Sequence, residues 1–311
     1  MKKSYLKWVL RLCILAFIAL NISAAFHGYS FTHFETAEVK KSKAEELSFT
    51  EKLSVLAFGI KNPRPKNQAF PSDPYQTFSI PSGEEHLESW FIPADSAKGN
   101  ILLFHGYGGY KSSMLSRAKI FNEMGYNCLL VDFRGSGGSS GNYTSIGYWE
   151  AEDVRSSVQY LQERFPGPTY VLGTSMGAAA SMKAASDLNI NGLILECPFE
   201  SLLQTAKNRF EAMGLPPSPA AELLVFWGGI ENGFWGFSHN PYEYAQEIET
   251  PTLLIYGEKD ARVKRFEIDH IFENLNAQSE LLILPKSSHG NYLETEREAW
   301  KNKLQEFLDK H

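Results

Sequence analysis

A chain of 311 residues, 43% hydrophobic and 21% charged, has the composition of a globular protein with a sizeable core, and no segment is repetitive or low in complexity. Its formal net charge of −6 is spread along the chain without a Lys/Arg run in the body, so nothing offers itself to a phosphate backbone and no nucleic acid partner is expected. Cys13, Cys128 and Cys197 lie far apart and supply neither a disulfide framework nor a metal-ligand spacing.

The chain opens on a basic segment with Lys2, Lys3, Lys7 and Arg11, followed by an uncharged stretch from Leu12 to Phe26. That order marks residues 1–30 as a signal peptide or an N-terminal membrane anchor. Leu12 to Phe26 is shorter than the ~20 residues of a full span, and Ser23 with Ala25 offers a small-residue cleavage site. A helix extended from Trp8 to Tyr29 is long enough to span and carries an aromatic residue at each end. Both readings hold the basic end in the cytoplasm and put the body on the far side, anchored or exported, with the membrane as the partner of this segment.

Residues 31–74 read as a juxtamembrane connector: Ala44 to Phe58 predicts a helix with Leu47, Val55 and Phe58 as its apolar positions, and NPRPKNQAFPSDP breaks it. From Tyr75 to His311 the pattern is regular. YQTFSI and HLESWFI alternate apolar and polar residues, as an antiparallel pair does. NILLF, NCLLVDF, TYVLG, NGLILE, TLLIYG and ELLILP are continuous apolar runs, as strands covered on both faces are. Helical stripes lie between and after them: Val154, Val158, Leu161 and Phe165; Ile268, Ile271, Phe272 and Leu275; Trp300, Leu304 and Phe307. The alternation predicts an α/β fold, a mostly parallel open sheet with helices on both faces. About residues 199–250 the rhythm stops, and LPPSPAAELLVFWGGIENGFWGF predicts an inserted helical cap. Its Phe226, Trp227, Phe234, Trp235 and Phe237 either roof an acyl pocket or pack the cap onto the sheet.

Ligands of open α/β sheets bind beyond the carboxyl ends of the strands. Those ends here read HGYGG, DFRGSGGSSG, GTSMG, GEKD and PKSSHG. GTSMG fits G-x-S-x-G, in which a serine on a sharp strand-to-helix turn needs a hydrogen in place of a side chain two residues before and after; Gly173 and Gly177 meet that demand around Ser175. A serine hydroxyl needs a base, and the base an orienting acid. His289 alone of eight histidines stands in a loop after a late strand, whereas His105 precedes the glycines, His239 lies in the cap and His270 in a helix. Asp260 is the natural acid and Glu196 the reserve; Asp132 comes too early and is expected to brace its loop with Arg134. HGYGG and the start of the helix after Ser175 offer backbone amides to an oxyanion at Tyr107 and Met176. Neither GYGGYK nor GSGGSS completes G-x-G-x-x-G, so no dinucleotide is expected.

In that order these motifs resemble the α/β-hydrolase superfamily, and within it the serine-aminopeptidase-type and lysophospholipase-like hydrolases, over roughly Tyr75 to His311. The resemblance implies Ser175 as nucleophile, Asp260 as acid, His289 as base, Tyr107 and Met176 as oxyanion donors, and no metal or organic cofactor. The expected activity is serine hydrolysis of carboxylic ester bonds in small-molecule or lipid-like substrates such as lysophospholipids or monoacylglycerols. Peptide or thioester hydrolysis on the same residues, or a non-catalytic binding protein on the same fold, are the alternatives.

Overall fold

The strand-forming runs assemble into one eight-stranded sheet in the computed structural model, which describes residues 2–36, 49–275 and 278–311. Its strands are β1 (Gln76–Ser82), β2 (Glu85–Ile92), β3 (Gly99–Phe104), β4 (Tyr126–Val131), β5 (Thr169–Thr174), β6 (Gly192–Glu196), β7 (Thr252–Gly257) and β8 (Ser279–Leu284). They lie in the order β8-β7-β6-β5-β3-β4-β2-β1. The alternating segments β1 and β2 pair antiparallel, β2 joins β4 antiparallel, and every other neighbour is parallel. The sheet is thus mostly parallel, as the unbroken apolar runs require.

Successive residues of each central strand feed opposite layers, because side chains alternate across a strand. Leu102, Phe104, Leu129, Val131 and Val171 pack on one face, with Val154, Val158 and Leu161 of α4 (Glu150–Arg164), Ala178 and Ala179 of α5 (Met176–Ala185), and Ile268 and Ile271 of the helix Arg265–Asn274. Ile101, Leu103, Cys128, Leu130, Tyr170 and Leu172 pack on the other, with Ile120 and Phe121 of α3 (Leu115–Glu123) and Trp300, Leu304 and Phe307 of the last helix, Arg297–Lys310. The small side chains of α5 let its axis approach the centre of the sheet, and with it the loop that precedes the helix.

The inserted segment forms a cap of two main helices, α6 (Leu202–Ala212) and α7 (Ala220–Glu231), with its own small core of Leu202, Ala206, Ala221, Val225 and Phe234. Buried His239 ties the cap to the body: Nε2 lies 3.0 Å from the Ile146 carbonyl and Nδ1 3.1 Å from the Tyr244 hydroxyl. Burial pulls its pKa down to about 4, so the ring is neutral near neutral pH.

Lys2–Thr32 is a single helix, α1, and Tyr5–Thr32 is apolar and long enough to cross a membrane. The connector beyond it contains α2 (Phe49–Phe58) and the two-residue strand Asn62–Pro63, which runs parallel to Phe34–Glu35. Residues 44–48 of the expected connector helix, Leu47 among them, lie outside the described residues. The proline-rich stretch that follows docks on the body. Arg64 donates to the Gly141 and Ser139 carbonyls, Gly137 N donates to Pro65 O at 3.0 Å, and Asn67 Nδ2 donates to Asp132 Oδ2 at 2.8 Å.

Candidate active site

Ser175 stands between β5 and α5 at φ 54°, ψ −112°, a left-handed conformation that a residue with a side chain enters only at a cost of ~1–3 kcal/mol. The flanking glycines explain how the turn closes. A Cβ on Gly173 would fall 2.3 Å from the Gly177 carbonyl oxygen, and one on Gly177 would fall 2.5 Å from Phe104 O and 2.7 Å from His105 O. The chain therefore turns tightly enough that Ser175 N reaches the Glu196 carbonyl at the end of β6, 2.8 Å away. The side chain stands at the carboxyl edge of the sheet, half-buried.

The HGYGG loop after β3 packs against this turn: a Cβ on Gly106 would lie 3.4 Å from Ser175 Cβ. Buried His105 shapes the loop. Its Nε2 accepts from Phe133 N at 3.2 Å, so the ring proton sits on Nδ1, which donates to Gly106 O at 2.8 Å. Tyr107 follows directly, and Met176 is the first residue of α5, where an amide has no acceptor inside its own helix. Among the described residues neither amide donates to another acceptor.

His289 lies in the loop after β8. Its Nδ1 is 2.7 Å from Asp260 Oδ2, and that carboxylate is buried, its Oδ1 accepting from Arg262 N at 2.7 Å and Val263 N at 3.1 Å. A Cβ on Gly290 would lie 3.6 Å from Thr174 Cγ2, so the histidine loop abuts the residue just before Ser175. Nε2 of His289 stands 3.9 Å from Cys197 Sγ. Burial alone would depress the imidazolium, but Cys197 and the Asp260 carboxylate outweigh it and raise the His289 pKa to about 10.

One expectation needs correction. Asp132 does brace its loop, but with Lys111, whose ammonium is buried 2.5 Å from Oδ2; Arg134 turns instead to Asp153 at 2.6 Å. The lysine wins because Asp132 points back under the HGYGG loop, where Lys111 N also donates to Oδ1 at 2.6 Å. Of the five cap aromatics, only Phe234 lines the cavity described below. Trp227 instead donates to Asn21 Oδ1 at 3.2 Å, and Trp235 is 53% exposed, because α7 packs against α1 rather than presenting all its rings downward.

The reserve acid Glu196 is fully occupied below the site. It accepts from Thr174 Oγ1 at 2.7 Å, Trp300 Nε1 at 2.8 Å and Arg117, whose Nη2 also donates to Gly290 O at 2.8 Å. Glu196 and Arg117 thereby hold the serine turn and the histidine loop together. His270 pairs with Glu200 at 2.8 Å on the outside of the fold. Sequence reasoning missed Arg117, which sits inside an ordinary helix, and Cys197, which it considered only for disulfide and metal spacing. Cys197 is the first residue beyond β6, so the rule applied to the other strand ends points to it too, and its φ of 42° shows a second strained backbone at the site.

A cavity of about 480 Å³ opens beside Tyr107 and Ala261, the neighbour of Asp260. Its walls are mostly apolar, from α6, α7 and the end of α1; they include Arg209 and Arg262 and no carboxylate.

The serine aminopeptidase S33 family matches residues 95–221. The chain is 25% identical over 239 residues to the uncharacterized protein YqkD of Bacillus subtilis, covering 75% of this chain and 78% of that protein. It is 27% identical over 190 residues to the lysophosphatidylserine lipase ABHD12 of Danio rerio, covering 58% and 48%. Among solved structures it resembles the Pyrococcus furiosus esterase Pf2001, with a TM-score of 0.69 at 26% identity over 80% of this chain and 96% of that one. Strand order, motif order and these likenesses agree: the chain has the α/β-hydrolase fold and is similar to the esterase- and lipase-like hydrolases of that superfamily.

Proposed function

We propose that the protein is a serine hydrolase that cleaves carboxylic esters through an acyl-enzyme. The observation that carries this reading is the 2.7 Å contact between His289 Nδ1 and Asp260 Oδ2, in a loop packed against the strained turn of Ser175. Ser175 Oγ attacks the ester carbonyl while His289 Nε2 takes its proton, and the Tyr107 and Met176 amides hold the oxyanion. The tetrahedral intermediate collapses with loss of the alcohol, protonated by His289. Water, giving its proton to the same nitrogen, then releases the acid and restores Ser175. Asp260 holds the imidazole in the tautomer that leaves Nε2 free and offsets the charge it acquires.

An apolar cavity favours acyl chains, and the lipase and esterase among the similar proteins agree with lipid-like esters as substrates. An aminopeptidase must hold an ammonium group, and a lining with two arginines and no carboxylate is poorly made for that. Ser175→Ala is expected to stay folded and to lose ester turnover by several orders of magnitude, and a fluorophosphonate probe should label Ser175 alone. Undiminished esterase activity in Ser175→Ala would sink the assignment.

A further inference from the structure

The cavity beside Tyr107 has two kinds of surface. Leu202, Ala206, Leu224 and Val225 give it apolar walls, and Arg209 of α6 and Arg262, two residues after Asp260, also line it. Both arginines are exposed to solvent as well, which places them at the mouth. Buried Asn208, the neighbour of Arg209, donates from Nδ2 to the Arg262 carbonyl at 3.0 Å and to Glu267 Oε1 at 2.6 Å, and so ties α6 to the loop of the candidate acid. That loop is fixed in turn by Arg262 N, which donates to Asp260 Oδ1 at 2.7 Å. From the other side the Phe31 ring of α1 supports Arg209, whose guanidinium carbon is 4.3 Å from the ring centroid. The same ring stacks on Tyr107 with centroids 5.4 Å apart, so one aromatic touches both the cation and a proposed oxyanion donor.

Among the described residues neither guanidinium makes a hydrogen bond or an ion pair with a carboxylate. The acids nearest in the chain are committed elsewhere: Glu211 pairs with Lys264, and Asp260 with His289. Glu267 accepts from Asn208 Nδ2 and, at 2.9 Å, from Lys264 N. Burial lowers the Arg209 pKa, attraction to the Tyr107 hydroxyl offsets part of that, and repulsion from Arg262 adds to it. Two like charges at one opening, neither neutralised by a carboxylate of the cavity wall, attract an anionic group on whatever enters. A guanidinium also presents paired N–H donors that match a carboxylate or a phosphate.

We propose that Arg209 and Arg262 form an anion subsite at the mouth of the cavity, and that the substrate is an amphiphilic ester carrying a carboxylate or phosphate group as well as an apolar chain. The inference rests on the hydrolase reading for the reaction itself. The apolar walls take the chain, the two guanidiniums hold the anionic group, and an ester without that group forgoes the second contact.

The test compares the full chain with Arg209→Gln, Arg262→Gln and the double variant on two matched pairs of esters in detergent micelles. Monopalmitoyl glycerol is set against palmitoyl lysophosphatidate, which adds a phosphate to the alcohol. In the second pair p-nitrophenyl laurate is set against the mono-p-nitrophenyl ester of dodecanedioic acid, which adds a carboxylate to the acyl chain. The wild type should favour the anionic member of at least one pair by about tenfold or more in kcat/KM, through a lower KM and less so as salt is added. Each glutamine variant should lose most of that preference, and Arg262→Lys should keep part of it. The side chains are exposed, so folding is not at stake, and thermal unfolding checks this. A preference in the first pair puts the anion on the leaving alcohol, and one in the second puts it on the acyl chain. Turnover of the neutral esters with no preference in either pair, or a preference that survives in the double variant, overturns the subsite and leaves the hydrolase reading in place. A wild-type chain that hydrolyses none of the four esters overturns that reading and this inference with it.

Discussion

Replacing Asp260 by asparagine tests which acid serves His289. The two charges that face each other after proton transfer are 2.7 Å apart, with the carboxylate out of solvent. At an effective dielectric constant of about 20 such a pair is worth about 6 kcal/mol. Asparagine retains a dipole, so roughly half to three-quarters of this should be lost, which lowers kcat/KM by about two to three orders of magnitude. The fold should survive, because the asparagine oxygen can still accept from Arg262 N and Val263 N. Initial rates on a short-chain ester, with thermal unfolding as the control, measure both effects. The contrasting variant is Glu196→Gln, which loosens the Arg117 and Thr174 contacts beneath the turn and should show first as lost stability. The reasoning is refuted if Asp260→Asn keeps a third or more of the wild-type rate, or if Glu196→Gln melts as the wild type does yet is inactive.

Ser175→Gly removes the side chain that strains the turn at φ 54°, and should be about 1–2 kcal/mol more stable to urea than Ser175→Ala; equal stability would show that no strain is held there. Gly177→Ala drives a Cβ against two backbone carbonyls at 2.5 and 2.7 Å, for a cost of about 1–3 kcal/mol or more by thermal unfolding, and a wild-type melting temperature would contradict the geometry. His289 has a folded pKa raised to about 10, so its contribution to stability is full below its ordinary value of about 6.5 and is lost as pH rises through about 10. His289→Ala should flatten that fall in the unfolding free energy. Catalysis needs the unprotonated ring, so Cys197→Ala, which removes a neighbour that raises the pKa, should move the acidic limb of the kcat/KM profile to lower pH; a limb that stays in place would show that Cys197 does not act on the histidine.

The parts of this architecture that are legible in the sequence are those written locally. Ser175, Asp260 and His289 each follow an apolar run, and the steric demand on Gly173 and Gly177 is a property of one turn. What escapes is the choice among partners distant in the chain. Asp132 lies two residues from Arg134, yet takes Lys111, because the fold of HGYGG brings that lysine beneath it. The cap aromatics form a cluster in sequence, but only the position of α1 decides which of them face the cavity. The connector reads as a linker because its contacts, such as Asn67 with Asp132, are made one by one with a body that composition does not reveal.

The Arg117 bridge has a consequence for the order in which the protein is made. It joins α3 to the carbonyl of Gly290, 173 positions further along the chain, by way of a carboxylate at the end of β6. A nascent chain can complete its elbow well before the histidine loop has been synthesised. The turn and the base are clasped together only when nearly the whole polypeptide is present, since contacts of such separation must await both ends. An incomplete chain therefore carries the Ser175 turn without the His289 loop, and the two are brought together only as one of the last acts of folding.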